Sequence, residues 1–463
     1  MNIPPVIEQP PQFDLPEPIQ PRIYGGWIAL VVMFGMMISL QLIQYFDRGD
    51  PNHPKSYAEQ ITQLKLGFDL KSMPILQGSK SVPLDDTFEE ILKKVEPDIP
   101  TQVKAAKITV AIRAEQKKPI PKVALAKLAA ADKPEDRIWG EVYVDGPLSK
   151  DRAASIESKL KPSEFLDKLA IRHAWTRAGE PNRIKIGSPE GMTFKVISIS
   201  ILALAFIAGC LILTGYVIAR IAGVLPSKGF PTGFINQIDA DRLAVRCAQL
   251  VGIFLLVQFG ASVVFSYLPI DKGIATVIMT STIMFAFWKL SQRPVAGGSF
   301  PLPRLGLRKG DLGGHILWGV GAAMANAPIV LVTALISNKV FAALPNAEHP
   351  TTTQLQSGTT ALGLVCTIFA ASIAAPFMEE LMFRGTLLPA LAKTWGRPVL
   401  AVLIQGLIFA TIHPTGIPAW LPLASIGATS GFLSRQTGSL VPSMIMHGVH
   451  NLGTLLIVLS ISG

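Results

Sequence analysis

Charge is scarce in this chain: of its 463 residues only 16% are Asp, Glu, Lys or Arg, where soluble domains carry about 25%. Cysteine is scarcer still. Cys210, Cys247 and Cys366 all lie in apolar runs, which excludes a disulfide framework, and there is no Cys-x-x-Cys metal signature. No His-Glu-x-x-His stretch occurs among the seven histidines. The net charge of +10 does not point to nucleic acid, because the basic groups are dispersed among acids; it fits contact with anionic lipid. The chain has no basic n-region at its extreme terminus and no small-residue cleavage site before "YFDRGD", so the first apolar run reads as an uncleaved anchor.

What is present is mostly membrane. Apolar residues make up 49% of the chain, and about 25 of the 42 basic and about 22 of the 32 acidic residues fall between Asp47 and Met192. Runs long enough to cross about 30 Å of hydrocarbon fall at 24–46, 194–218, 247–268, 273–290, 312–336, 359–377, 398–413, 417–433 and 439–461. The expected fold is an all-α polytopic membrane protein. It is a bundle of about eight to nine transmembrane helices, with a soluble mixed α/β or helical insert between the first two spans. The domains divide as a Pro-rich tail at 1–23, expected to be disordered, an anchor at 24–46, the insert at 47–192, further bundle helices at 193–358, and a C-terminal core at 359–463.

Arg220, Lys228, Arg242 and Arg246 crowd one short loop and Lys289, Arg293, Arg304, Arg308 and Lys309 another, while the alternate loops are poor in basic groups. Basic residues near helix ends stay in the cytoplasm, so the N-terminus is expected inside and the insert outside. Within the insert, "DDTFEEILKKVEP" reads as an amphipathic helix with an Asp or Thr cap. "KPSEFLDKLAIRHAWTRAG" reads as a longer helix started at Ser163, and "IWGEVYVDG" as a strand running into a turn. The insert is expected to be a structural module that does no chemistry.

The stretch "AAPFMEELMFRG" is the anomaly. Ionised groups persist inside a bilayer mainly when paired or needed for chemistry or transport. On a helix Glu380 and Arg384 stand at i and i+4 in the favourable order, a natural ion pair, which leaves Glu379 without a local partner. Downstream, "LIFATIHP" puts Phe409 and His413 at i and i+4 near the end of a span, and "SMIMHGVHN" does the same for His447 and Asn451. Three helices thus bring an acid, two histidines and an amide to a similar depth.

"EELMFRG", "FATIH" and "HGVHN" resemble the three signatures EExxxR, FxxxH and HxxxN of the CPBP (Abi) family of intramembrane proteases, which includes the eukaryotic CAAX-processing enzymes. The resemblance covers about residues 359–457. It implies an intramembrane endopeptidase acting on a membrane-associated protein or peptide, expected in a bacterial inner (plasma) membrane. Glu379 and His413 would activate a water, His447 and Asn451 would bind the oxyanion, and Glu380 and Arg384 would be scaffold, with no cofactor. The chemistry is sound in its own terms: a carboxylate partly removed from water is a stronger base, and N–H donors stabilise a tetrahedral intermediate. A zinc enzyme holding the metal through Glu379, His413 and His447 or His450 is the alternative. A serine mechanism through Ser430 or Ser262, and a non-enzymatic scaffold or immunity-type protein, are the remaining readings.

Overall fold

The computed structural model describes residues 24–47, 57–72, 84–160 apart from 145, 164–186, 189–225, 239–291 apart from 269 and 271, 293, 312–344 and 361–462. Among them every regular element is helical. The Pro-rich tail lies outside the described residues.

Helix α1 (Gly25–Asp47) leads into the insert. The insert is built from α2 (Ala58–Ser72), α3 (Leu84–Val95), α4 (Val103–Glu115), α5 (Lys122–Ala129), α6 (Pro134–Val142), α7 (Lys150–Lys159) and α8 (Phe165–Arg177). Its core gathers around α4, whose residues from Ala105 to Ile112 are buried apart from Lys107, and includes Leu64, Ile91, Trp139 and Leu169. The strand expected over "IWGEVYVDG" is instead α6 followed by a turn. Trp139, Val142 and Tyr143 are spaced i, i+3 and i+4 and are all buried, so helical packing overrides the weak β preference of these residue types. Asp85 and Asp86 sit in the first turn of α3, and α8 starts at Phe165; Ser163 lies outside the described residues.

Beyond the insert come α9 (Pro189–Ile221), α10 (Ala240–Ser266), α11 (Lys272–Ser291), α12 (Leu312–Val340) and a broken helix α13 (Ala361–Trp395). They are followed by α14 (Pro398–Thr411), α15 (Trp420–Thr437) and α16 (Val441–Ser462). Seven of these segments are long and apolar enough to cross a membrane: α1, Lys195–Ile221, α10, Gly273–Ser291, α12, α13 and Val441–Ser460. The other two expected spans are helices, but α14, with 14 residues, reaches only about 21 Å. α14 and α15 pack on each other inside the bundle, so neither depends on lipid along its whole length.

Helix α12 packs against α9, α15 and α16. Its internal Pro328 has no N–H for the carbonyl of Met324, and Gly209 of α9 lies so close to that oxygen that a Cβ would stand 2.0 Å away. The insert is held to the bundle where α2 packs on α9 and α16. There Asp69 and Lys195 form a buried ion pair between α2 and α9.

Candidate active site

Helix α13 changes pitch twice around the glutamates. An α-helical turn, Ala375–Glu379, is flanked by π-helical segments at Ala370–Ala374 and Glu380–Leu387. Pro376 accounts for the first break, since it has no N–H to continue the ladder. Short π segments are common at functional sites, where the extra residue turns side chains to a new face.

Here that face is polar. The Glu380 and Arg384 side chains are fully buried, with Oε1 of Glu380 3.0 Å from Nη1 of Arg384, so the pair expected from the sequence forms. Arg384 Nη2 donates to the carbonyl of Gly427 at 2.9 Å, and its guanidinium lies 4.6 Å from the centre of the Phe409 ring. His447 stands over both acids: Nδ1 is 3.2 Å from Oε1 of Glu380, and Nε2 is 3.7 Å from Oε2 of Glu379. His413 Nε2 approaches the same Oε2 to 3.9 Å. Oε2 of Glu379 is buried and receives no hydrogen bond among the described residues.

Each imidazole is oriented by its other nitrogen. His413 Nδ1 donates to the carbonyl of Phe409 at 2.6 Å, and a carbonyl can only accept, so the neutral ring presents the lone pair of Nε2 to Glu379. The acceptor for His447 Nδ1 is a carboxylate already paired with Arg384, so its neutral ring also carries the proton on Nδ1. Phe409 wedges both rings, with centroids 4.5 Å from His413 and 5.7 Å from His447.

The His413 turn is clamped from three sides. Gly406 of α14 meets Gly427 of α15 backbone to backbone: a Cβ on Gly406 would stand 2.8 Å from the carbonyl oxygen of Ala424. Ser337 of α12 donates to the carbonyl of Pro418 at 2.8 Å. Tyr45, at the end of α1, lies against Gly416, whose φ of +91° requires glycine.

Asn451 is turned elsewhere. Its Nδ2 donates to the carbonyl of Ala371 at 2.8 Å, in the first π segment. Ser430 is buried and donates to the sulfur of Met446, and Ser262 is exposed on α10. As a zinc site, Glu379, His413 and His447 offer a suitable donor set of one carboxylate oxygen and two imidazole nitrogens. Their 3.7 and 3.9 Å separations exceed the roughly 3.4 Å between ligands of a tetrahedral zinc with bonds of about 2.0–2.1 Å.

Sequence reasoning missed Ser337, Tyr45 and the carbonyls of Ala371 and Gly427. Only Ala371 had a signal, because a proline inside a span frees the carbonyls of the preceding turn.

Residues 361–453 match the family model of the Rce1-like type II CAAX prenyl endopeptidases. No curated protein and no solved structure matches the chain. The matched segment runs from the start of α13 into α16 and so contains every residue of the polar cluster. The chain is therefore an integral membrane protein whose C-terminal helices form an Rce1-like domain of the CPBP, or CAAX protease, family.

Proposed function

We propose that the chain is an intramembrane endopeptidase in which Glu379 and His413 activate a water and His447 meets the oxyanion. The observation that carries this reading is the convergence of two oriented imidazole Nε2 atoms on one carboxylate oxygen, at 3.7 and 3.9 Å, within membrane helices. These separations are too long for direct hydrogen bonds and match groups that share a bridging oxygen.

The water oxygen attacks the scissile carbonyl carbon while its proton passes to Glu379, with His413 Nε2 accepting from the same water. The oxyanion that forms needs a donor. His447 supplies one from Nε2 only as an imidazolium, because its Nδ1–H is committed to Glu380, 3.2 Å away. Glu379 then returns the proton to the departing amine nitrogen and the C–N bond breaks. Glu380 thus orients His447 as well as pairing with Arg384. Asn451 keeps one Nδ2 hydrogen for the oxyanion, the other being spent on Ala371. The substrate class is a membrane-associated protein or peptide that presents an extended segment to the cluster, at the plasma membrane, with the insert outside it.

The donor set of one carboxylate oxygen and two imidazole nitrogens admits a second reading, in which Glu379, His413 and His447 would hold a zinc ion that would supply Lewis-acid activation of water. Both readings are tested on purified full-length protein in liposomes. Glu379→Gln is expected to lower peptide hydrolysis by about 10²-fold or more while the protein stays folded; surviving activity removes Glu379 from the chemistry. Elemental analysis separates the mechanisms. About one zinc per chain, lost and restored together with activity, would replace the water-activating glutamate by the metal enzyme.

A further inference from the structure

Gln405 places a whole amide inside an apolar helix. Its side chain is fully buried, and neither Oε1 nor Nε2 has a hydrogen-bond partner among the described residues. Each polar group left so costs about 1–3 kcal/mol, which a leucine of similar volume would avoid. The side chain faces α15 at Gly431, where a Cβ would stand 3.4 Å from Oε1. The next layer towards His413 is built on the same two helices. Phe409 follows Gln405 by four residues and Gly427 precedes Gly431 by four. The Arg384 guanidinium reaches both, 4.6 Å from the centre of the Phe409 ring and with Nη2 2.9 Å from the carbonyl of Gly427. In that layer Oε2 of Glu380 and Nε of Arg384 are likewise buried without a partner among the described residues. Open donors and acceptors therefore stand in adjoining turns of one buried seam between α13, α14 and α15.

We propose that Gln405 anchors an internal water site against the Glu380–Arg384 pair, and that through this site it positions Glu380 beneath His447. A buried water takes two to four polar partners, and these residues offer them. One water accepts from Gln405 Nε2 and Arg384 Nε and donates to Gln405 Oε1 and Glu380 Oε2. The consequence lies in how Glu380 is used. Its Oε1 serves both Arg384 Nη1, at 3.0 Å, and His447 Nδ1, at 3.2 Å. A carboxylate held by one oxygen alone is free to turn, whereas one whose Oε2 is also bonded keeps Oε1 under the imidazole. Holding α14 to α15 does not explain the amide, because it bonds to nothing on α15 and the close approach of Gly406 to Gly427 already joins the two helices. The positioning duty rests on the proposed role of the Glu379, His413 and His447 cluster; the water site does not.

Two measurements on the full-length protein in liposomes test the site and its duty. In water-edited solid-state NMR, magnetisation passes from water to nearby N–H groups; with glutamine side chains labelled with ¹⁵N, the Gln405 Nε2 signal is the one that disappears in Q405N and in Q405L. Wild type is expected to show transfer from water to that signal despite its burial. A signal that receives none would overturn the water site. Kinetics on a fluorogenic peptide test the duty. Q405L keeps the volume and removes both polar atoms, and is expected to lower kcat about tenfold with KM within about twofold. Q405N, whose shorter amide still reaches a water, is expected to lose about threefold. A wild-type kcat in Q405L would overturn the positioning role, because a residue that only packs α14 on α15 tolerates leucine. If Q405L does not fold, Q405N carries both measurements, and an unchanged kcat in it overturns that role. A wild type without Glu379-dependent hydrolysis would defeat the proposed function instead, and the NMR result would still decide the water site.

Discussion

The insert and the C-terminal membrane core are both helical, yet they treat buried polarity in opposite ways. Around Trp139 and His173 in the insert, buried polar side chains meet partners made for them, although Thr109 Oγ1 and Gln116 Oε1 elsewhere in it have none among the described residues. Trp139 donates to Asp167 at 2.8 Å, Tyr143 shares a 2.8 Å hydrogen bond with His173, and His173 reaches Glu115 at 2.5 Å. In the membrane core, Glu379 Oε2, Glu380 Oε2, the Nε of Arg384 and Ser372 Oγ are buried without a hydrogen-bond partner among the described residues, and all lie within one helix. A soluble core that merely holds a shape closes its polar groups on one another. A site that must receive a reacting group keeps acceptors open and bears the desolvation cost through a rigid surround.

The largest expected effect separates the two regions by their ion pairs. Arg384→Met strands Glu380 in a fully buried position and should cost about 3–5 kcal/mol, whereas Arg152→Met breaks an insert pair whose side chains are 48% and 43% exposed and should cost about 0–1 kcal/mol. Thermal midpoints and the yield of monodisperse protein measure both. The double variant E380M/R384M sharpens the contrast: an apolar pair is expected to recover folding but not hydrolysis, because His447 has lost the acceptor for Nδ1. Recovered hydrolysis would show that Glu380 is scaffold only.

A smaller effect is expected from a single methyl group. Gly406→Ala places a Cβ 2.8 Å from the oxygen of Ala424 and 2.9 Å from the nitrogen of Ala428. Backbone atoms cannot swing aside, so α14 and α15 must part and His413 must shift against Glu379. A displacement of about 1 Å at a reacting group is enough for a rate loss of order 10², so hydrolysis should fall at least about tenfold. Gly140→Ala in the insert meets nothing closer than 3.7 Å and should leave both midpoint and turnover unchanged. Equal behaviour of the two variants would mean that the close approach of α14 and α15 does not position the site.

Much of the membrane core was legible in the sequence because its signals are local or ordered along the chain. The i, i+4 spacing of Glu380 and Arg384 gave their contact directly, and three polar motifs on three apolar runs gave the convergence of Glu379, His413 and His447. The partner of Asn451 was not legible, since its contact with Ala371 depends on a pitch change that a 3.6-residue count does not contain. Nor were the Ser337 bond to Pro418 and the seat of Tyr45 on Gly416, which join elements far apart in sequence. In the insert the same limit produced the wrong element at α6. Trp139, Val142 and Tyr143 favour a strand by residue type, and only packing against α8, where Asp167 and His173 wait, makes them one face of a helix.

The smallest expected effect tests whether the closed network of the insert is as purely structural as its satisfied bonds imply. Burial, and secondarily the neighbouring Arg172, push His173 down from its usual range to about 3. The neutral ring accepts from Tyr143 at Nδ1 and donates to Glu115 from Nε2, while Arg172 pairs with the same Glu115. The folded state therefore refuses a proton that the unfolded chain takes up below about pH 6.5. Stability from this group is complete above that pH and is lost as the pH falls towards 3, by about 1.4 kcal/mol per pH unit once the unfolded histidine is mostly protonated. Urea midpoints of the insert in the full-length protein, followed by proteolysis of its helices, should drop measurably between pH 7 and pH 5. In His173→Gln, where nothing at that position titrates, the slope should flatten. A wild-type midpoint that instead rises as the pH falls would mean that the ring is protonated in the folded insert, joined to Glu115 as an ion pair, and the network would then be a charged one like that of the membrane core.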